Sequence, residues 1–217
     1  MELLVSIAIM AIITAVVASN ESQFGSGATL KNISNNLSLS LRQAQIYGIS
    51  VKEFSPGSYQ AYSINSFNAG YGVSFNLNAS PGGDNTAYIF FADRKPAAPP
   101  TANPDGLYGS GVSCPIFGSG NPPSECIDKT ALTQGHTISA LCTVRSGVED
   151  CENTRLDVSF IRPAVEAKII FNADIPGSAS LNLACVEISA PDGKRNAVVV
   201  YTTGQISVRV MSCGDAI

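Results

Sequence analysis

Apolar residues fall along this chain in three regimes, and each predicts a different element. Leu3 to Ala18 is an apolar run with Glu2 at its head and no basic residue before Lys31. As a helix at ~1.5 Å per residue it would span about 24 Å, slightly short of the ~20 residues that cross a bilayer. The chain then turns polar through Ser19–Gln23 and reaches Gly25 and Gly27. Each glycine weakens a helix by about 1 kcal/mol, so a kink or melted stretch is predicted there. Helical periodicity returns with Leu30, Ile33, Leu37, Leu41 and Ala44, all within about 40° of Leu37 at ~100° per residue. Leu39 and Ile46 fall on the opposite side. They read either as isolated surface apolars or as a seam toward neighbouring subunits, and the helix should end near Gly48.

From residue 58 the period becomes that of strands. Ser58–Ile64, Tyr71–Leu77 and Thr86–Ala92 are separated by Asn, Gly and Pro turns. Further strands are predicted near 135–145, 155–161, 165–173, 181–190, 196–203 and 205–212, the last two joined by a hairpin turn at Thr203–Gly204. Lys95–Pro104 is too rich in proline for regular structure, and Cys114–Cys126, with its Gly and Pro pairs, reads as a second irregular loop. No internal repeat and no second globular domain is evident.

An acid at the tip of an apolar helix is costly in lipid, on the order of 2.5–3.5 kcal/mol, and so is a functional candidate by default. Three readings compete for the segment. A cleaved signal peptide would carry a basic n-region, and a plain anchor would carry Lys or Arg on its cytoplasmic flank; neither is present here. Glu2-Leu-Leu-Val-Ser-Ile-Ala-Ile-Met-Ala-Ile-Ile resembles the start of type IV pilins and pseudopilins, whose helix opens with a few apolar residues, a glutamate and such a run. The family pattern also places a glycine and a cleavage point ahead of the glutamate, whereas only Met1 precedes Glu2 here. Restoring such residues would lengthen the helix to about 20, which suits a bilayer, so the shortfall fits truncation. No prepilin-peptidase site can be assigned in this chain.

The rest of the chain is similar to the GspH/FimT branch of minor pseudopilins and minor pilins. Leu37-Ser-Leu-Ser-Leu-Arg-Gln-Ala-Gln-Ile-Tyr-Gly48 resembles the passage from stem to head, and Val158–Pro163 and Ala197–Val208 resemble the late strands. The resemblance implies an α+β fold, a long N-terminal helix packed on an antiparallel β-sheet head. It divides the chain into an apolar transmembrane or fibre-core helix at 1–24 and a head at 25–217, the latter including the amphipathic second half of the stem at 28–48. The implied function is that of a structural filament subunit, not an enzyme. Its partners would be other pilin or pseudopilin subunits, the inner membrane with its assembly platform, and prepilin peptidase. Glu2, Leu3, Leu4, Leu39 and Ile46 would carry assembly, with Glu2 pairing with the N-terminal amine of an adjacent subunit. The implied location is a single-pass inner-membrane protein with its head outside the cytoplasm. The rival class is an anchored or secreted binding domain that never polymerises.

Composition narrows these options. With 217 residues, the chain past the stem is long enough for one domain with a real core. The net charge of −4 opposes general nucleic-acid affinity. The six cysteines, Cys114, Cys126, Cys142, Cys151, Cys185 and Cys213, suit an oxidising compartment. Many pairings are possible; pairing nearest neighbours closes short loops at hairpin-like places, with Ser146–Gly147 centred between Cys142 and Cys151 and with Cys185 and Cys213 on late strands. Zinc is the rival, but no Cys-x-x-Cys occurs and His136 is the single histidine.

No catalytic constellation is legible and no cofactor is expected: no nucleophile elbow and no phosphate-binding loop occur. His136 reads as an exposed strand or turn residue. Asp93, Asn103 and Asp105 put oxygen ligands on a loop as calcium prefers, though at a spacing unlike an EF-hand. FimT-type pilins bind DNA through basic residues near the C-terminal hairpin. The matching stretch, Gly204–Arg209, has Gln205 where an Arg would strengthen that role, and only Lys194, Arg195 and Arg209 lie near it. Three cations on an acidic head leave room for weak phosphate binding, as in a weakly DNA-binding competence-type minor pilin, and argue against specific DNA uptake.

Overall fold

Helix α1 runs from Glu2 to Ile49 in the computed structural model, which describes residues 2–50, 69–78, 84–93, 104–109, 114, 125–172 and 181–216, with the backbone alone at 2, 17–24 and 216. Gly25 and Gly27 stand within the helix, so the melted stretch expected there does not form. Packing of the following turns outweighs a local propensity cost of about 1 kcal/mol per glycine. Leu30, Leu37, Leu41 and Ala44 are buried and Ile33 is partly so, as their 3.6-residue spacing requires. Leu39 and Ile46 face outward. The helix ends where Gly48 lies against the backbone of Phe160, with no room for a Cβ.

Ten strands follow: β1 (Gly70–Asn76), β2 (Ala87–Asp93), β3 (Cys126–Ala131), β4 (Thr137–Arg145), β5 (Val148–Asn153), β6 (Arg155–Phe160), β7 (Ala167–Phe171), β8 (Leu181–Ser189), β9 (Arg195–Tyr201) and β10 (Ile206–Arg209). A four-residue helix, α2 (Cys213–Ala216), comes last. The strands form two antiparallel sheets of five, in the orders β3-β2-β1-β6-β7 and β10-β9-β8-β4-β5. One face of each sheet and the buried stripe of α1 share a single core, in which Tyr71, Phe75, Leu156 and Phe160 of the first sheet meet Leu141, Val186, Ile188 and Val198 of the second.

This arrangement overturns the expected fold class. In place of an α+β head with a long helix laid on one antiparallel sheet, the chain is mostly β, with two sheets enclosing the core and the helix packing on the head through residues within 25–49. The physical reason is that strand period is local, whereas sheet membership depends on distant partners. β1 takes β6 as a neighbour and β4 takes β8.

Two strands escape the sequence pattern altogether. β5 carries Glu149, Asp150 and Glu152 and is exposed along almost its full length as a sheet edge, so it has no apolar alternation. β3, also an edge, reads as the tail of a cysteine loop. The predicted strand Ser58–Ile64 and the proline-rich segment lie outside the described residues, apart from Pro104, as does most of the loop between Cys114 and Cys126.

Candidate functional site

The first described side chains of α1 form one long exposed apolar run. From Leu3 to Val16 every one is exposed, with Leu3 at 73% and Leu4 at 70%. The helix itself takes up one polar group among them: the Thr14 hydroxyl donates to the Met10 carbonyl at 2.8 Å. Leu39 and Ile46 add exposed apolar surface further along the same helix, on the side away from the core. The side chain of Glu2 lies outside the described residues. Among the described residues no helix is long and apolar enough to cross a membrane, so single-pass anchoring gains no support from the fold.

The cysteines form three disulfides, Cys114–Cys126, Cys142–Cys151 and Cys185–Cys213, which are compatible with an extracellular protein. Each joins neighbours in sequence. Cys142 and Cys151 sit on β4 and β5, around a turn whose Ser146 and Gly147 both take positive φ (50° and 80°), the pairing that a tight hairpin demands. Cys213 is not on a late strand as expected. It opens α2, which packs over the second sheet's outer face beside Cys142, Val144, Cys185 and Val199. Glu149 lies close to Cys142 and Cys151, but their sulfurs are bonded to each other and offer no thiolate to a metal.

Carboxylates are concentrated on the outer face of the first sheet, under residues 104–109. Asp93 Oδ2 accepts from the Gly106 N–H at 2.5 Å and Glu125 Oε2 from the Gly109 N–H at 2.5 Å. The Arg155 guanidinium donates to the Tyr108 carbonyl at 2.6 Å and, through Nε, to Asp157 at 2.9 Å. Gly106 is held at φ +85° with its missing Cβ directed at Lys168 and the Ser159 hydroxyl, so only glycine fits. Burial pushes the Asp93 carboxyl up to about 7; nearby Asp105 adds to this, while the Gly106 N–H and Lys168 oppose it. Burial likewise raises Asp157 against the pull of Arg155 and the Ser74 hydroxyl.

The calcium reading is not supported by this geometry. Asn103 lies outside the described residues, Asp93 is buried against Gly106, and Asp105 Oδ1 caps the Leu107 N–H at 3.0 Å. Among the described residues the acids do not converge on a metal-sized space. His136 is buried, not exposed: its Nδ1 lies 2.8 Å from the Thr133 carbonyl. The turn at Gln134 and Gly135, both at positive φ, folds the ring inward, which the residue's polar neighbours gave no reason to expect. The three basic candidates are each engaged within the head. Lys194 pairs with Asp192 at 2.9 Å, Arg195 with Glu187 at 3.2 Å, and Arg209 donates to the Tyr201 hydroxyl at 2.9 Å.

No match to this chain is found among protein-family models, curated proteins or solved structures.

Proposed function

We propose that this chain is a minor pilin- or pseudopilin-type subunit, a structural component of a type IV pilus-like or type II secretion filament. One contrast within α1 carries the reading. The stripe from Leu30 to Ala44 is consumed by the head's own core, whereas the side chains from Leu3 to Val16 are all exposed. Burying each large apolar side chain is worth about 1.5–3 kcal/mol. Nine of them stand exposed between Leu3 and Val16, so this surface must leave water by finding another. Equivalent helices of neighbouring subunits provide such a surface, and before assembly the cytoplasmic membrane would, with the disulfide-bonded head outside it. Glu2 then pairs with the N-terminal amine of an adjacent subunit, which fixes register, because an unpaired carboxylate is expensive in an apolar core.

The test is assembly of the full chain. Ile7→Asp and Ile13→Asp alter exposed positions and should leave the head's melting unchanged. Both should keep the subunit out of filaments and out of the self-association measured by sedimentation without detergent. Native protein that sediments as a monomer with α1 bare to water would overturn the proposal. So would normal entry of a Glu2→Ala subunit into filaments, as far as the role of Glu2 is concerned.

A further inference from the structure

Four of the six cysteines lie together in the second sheet and in the helix packed against it, and their exposure is uneven. Cys142 on β4 and Cys185 on β8 are directly opposed in an antiparallel pair, both buried on the outer face. Their present partners lie beyond them, Cys151 on the exposed edge strand β5 and Cys213 at the start of α2. Of these four sulfur-bearing residues only Cys151 is exposed. Opposed residues in such a pair hold their Cβ atoms about 4.5–5.5 Å apart, and a disulfide closes at about 3.5–4.5 Å. An approach of the two strands by about 1 Å, with rotation of both side chains, therefore suffices to join Cys142 to Cys185.

We propose that these cysteines form a thiol-exchange relay, entered at Cys151 by an external dithiol and ending in release of Cys213. A thiolate of the dithiol attacks Cys151 Sγ, breaking the Cys142–Cys151 bond and expelling Cys142 as a thiolate. The dithiol's second thiolate then displaces Cys151, so the dithiol leaves as its disulfide and has supplied two electrons. The Cys142 thiolate attacks Cys185 Sγ; the Cys142–Cys185 bond forms, the Cys185–Cys213 bond breaks, and Cys213 leaves as a thiolate that takes a proton from water. The net change is one protein disulfide reduced and one moved.

Position drives the second step. Cys142 and Cys185 are held opposite each other by the β4–β8 hydrogen bonds, so their encounter needs no chain search. The product removes the covalent tether of α2. What then holds it in place includes the Cys213 N–H donating to Glu187 Oε2 at 3.1 Å. The relay thus makes attachment of α2 to the sheet responsive to dithiols, and it does not depend on the filament role.

Limiting dithiothreitol on the full chain, followed by an acid quench, maleimide labelling and peptide mapping, tests it. The expected pattern is label on Cys151 and Cys213 with a new Cys142–Cys185 cross-linked peptide. Label on Cys142 and Cys151 with Cys185–Cys213 intact would overturn the relay, as would label on Cys185 and Cys213 with Cys142–Cys151 intact. A Cys151→Ser chain gives a second measurement without reductant. Its unpaired thiol should move from Cys142 to Cys213, and a thiol that stays at Cys142 contradicts the proposal.

Discussion

Asn196 on β9 donates from Nδ2 to the Ser34 hydroxyl of α1 at 3.1 Å, and both residues are buried. The same hydroxyl donates onward to the Leu30 carbonyl at 2.8 Å. One serine thus ties the helix to the second sheet while satisfying an amide that could reach no water. Ser34→Ala should leave that amide unpaired and cost about 1–3 kcal/mol. Urea unfolding of the two single alanine variants and the double variant would show it: the double should lose less than the sum of the singles. Additive losses would mean the bond contributes nothing.

The two sides of the helix should respond oppositely to the same change. Leu37 is fully buried, whereas Leu39 is 57% exposed. Leu37→Ala should cost about 2–5 kcal/mol, and Leu37→Asp should prevent the head from folding. Leu39→Asp should change stability by less than about 0.5 kcal/mol while weakening subunit assembly. Thermal melts of both variants decide the matter, and equal destabilisation would contradict the assignment of the two sides.

Asp93 sets a pH dependence whose sign follows from its burial. Its folded carboxyl is raised to about 7, against 3.8 for the ordinary group. Between those values the folded protein holds a proton that the unfolded chain has released, so stability falls as pH rises through that window and levels off above it. Asp93→Asn keeps an oxygen facing the Gly106 N–H but removes the titration. Relative to the native chain, the variant should therefore gain in melting temperature from pH 4 to 7. Parallel melting profiles across that range would exclude Asp93 as the source. Asp157 is shifted in the same direction but is common to both proteins, so its effect subtracts out.

The helix stripe was legible because each of its positions repeats within a few residues, and the same holds for β1, β2, β4 and β6 to β10. The turns at Ser146–Gly147 and Gly204 were legible because left-handed backbone favours a short list of residues. The apolar surface of Leu3 to Val16 was likewise plain from the residues alone. Disulfide partners near in sequence could be paired through the loops they close.

Only the tertiary structure decided how those pieces are shared between sheets. An edge strand such as β5 needs no apolar face, so Glu149, Asp150 and Glu152 concealed it. His136 turned inward, and Asp93 came to lie against Gly106, because contacts from other elements enclosed them. The two-sheet arrangement rests on β1 meeting β6 and β4 meeting β8. Hydrophobic period records which face of a segment leaves water, and it is blind to which distant segment supplies the cover. That choice comes from the single core that α1 and both sheets fill together.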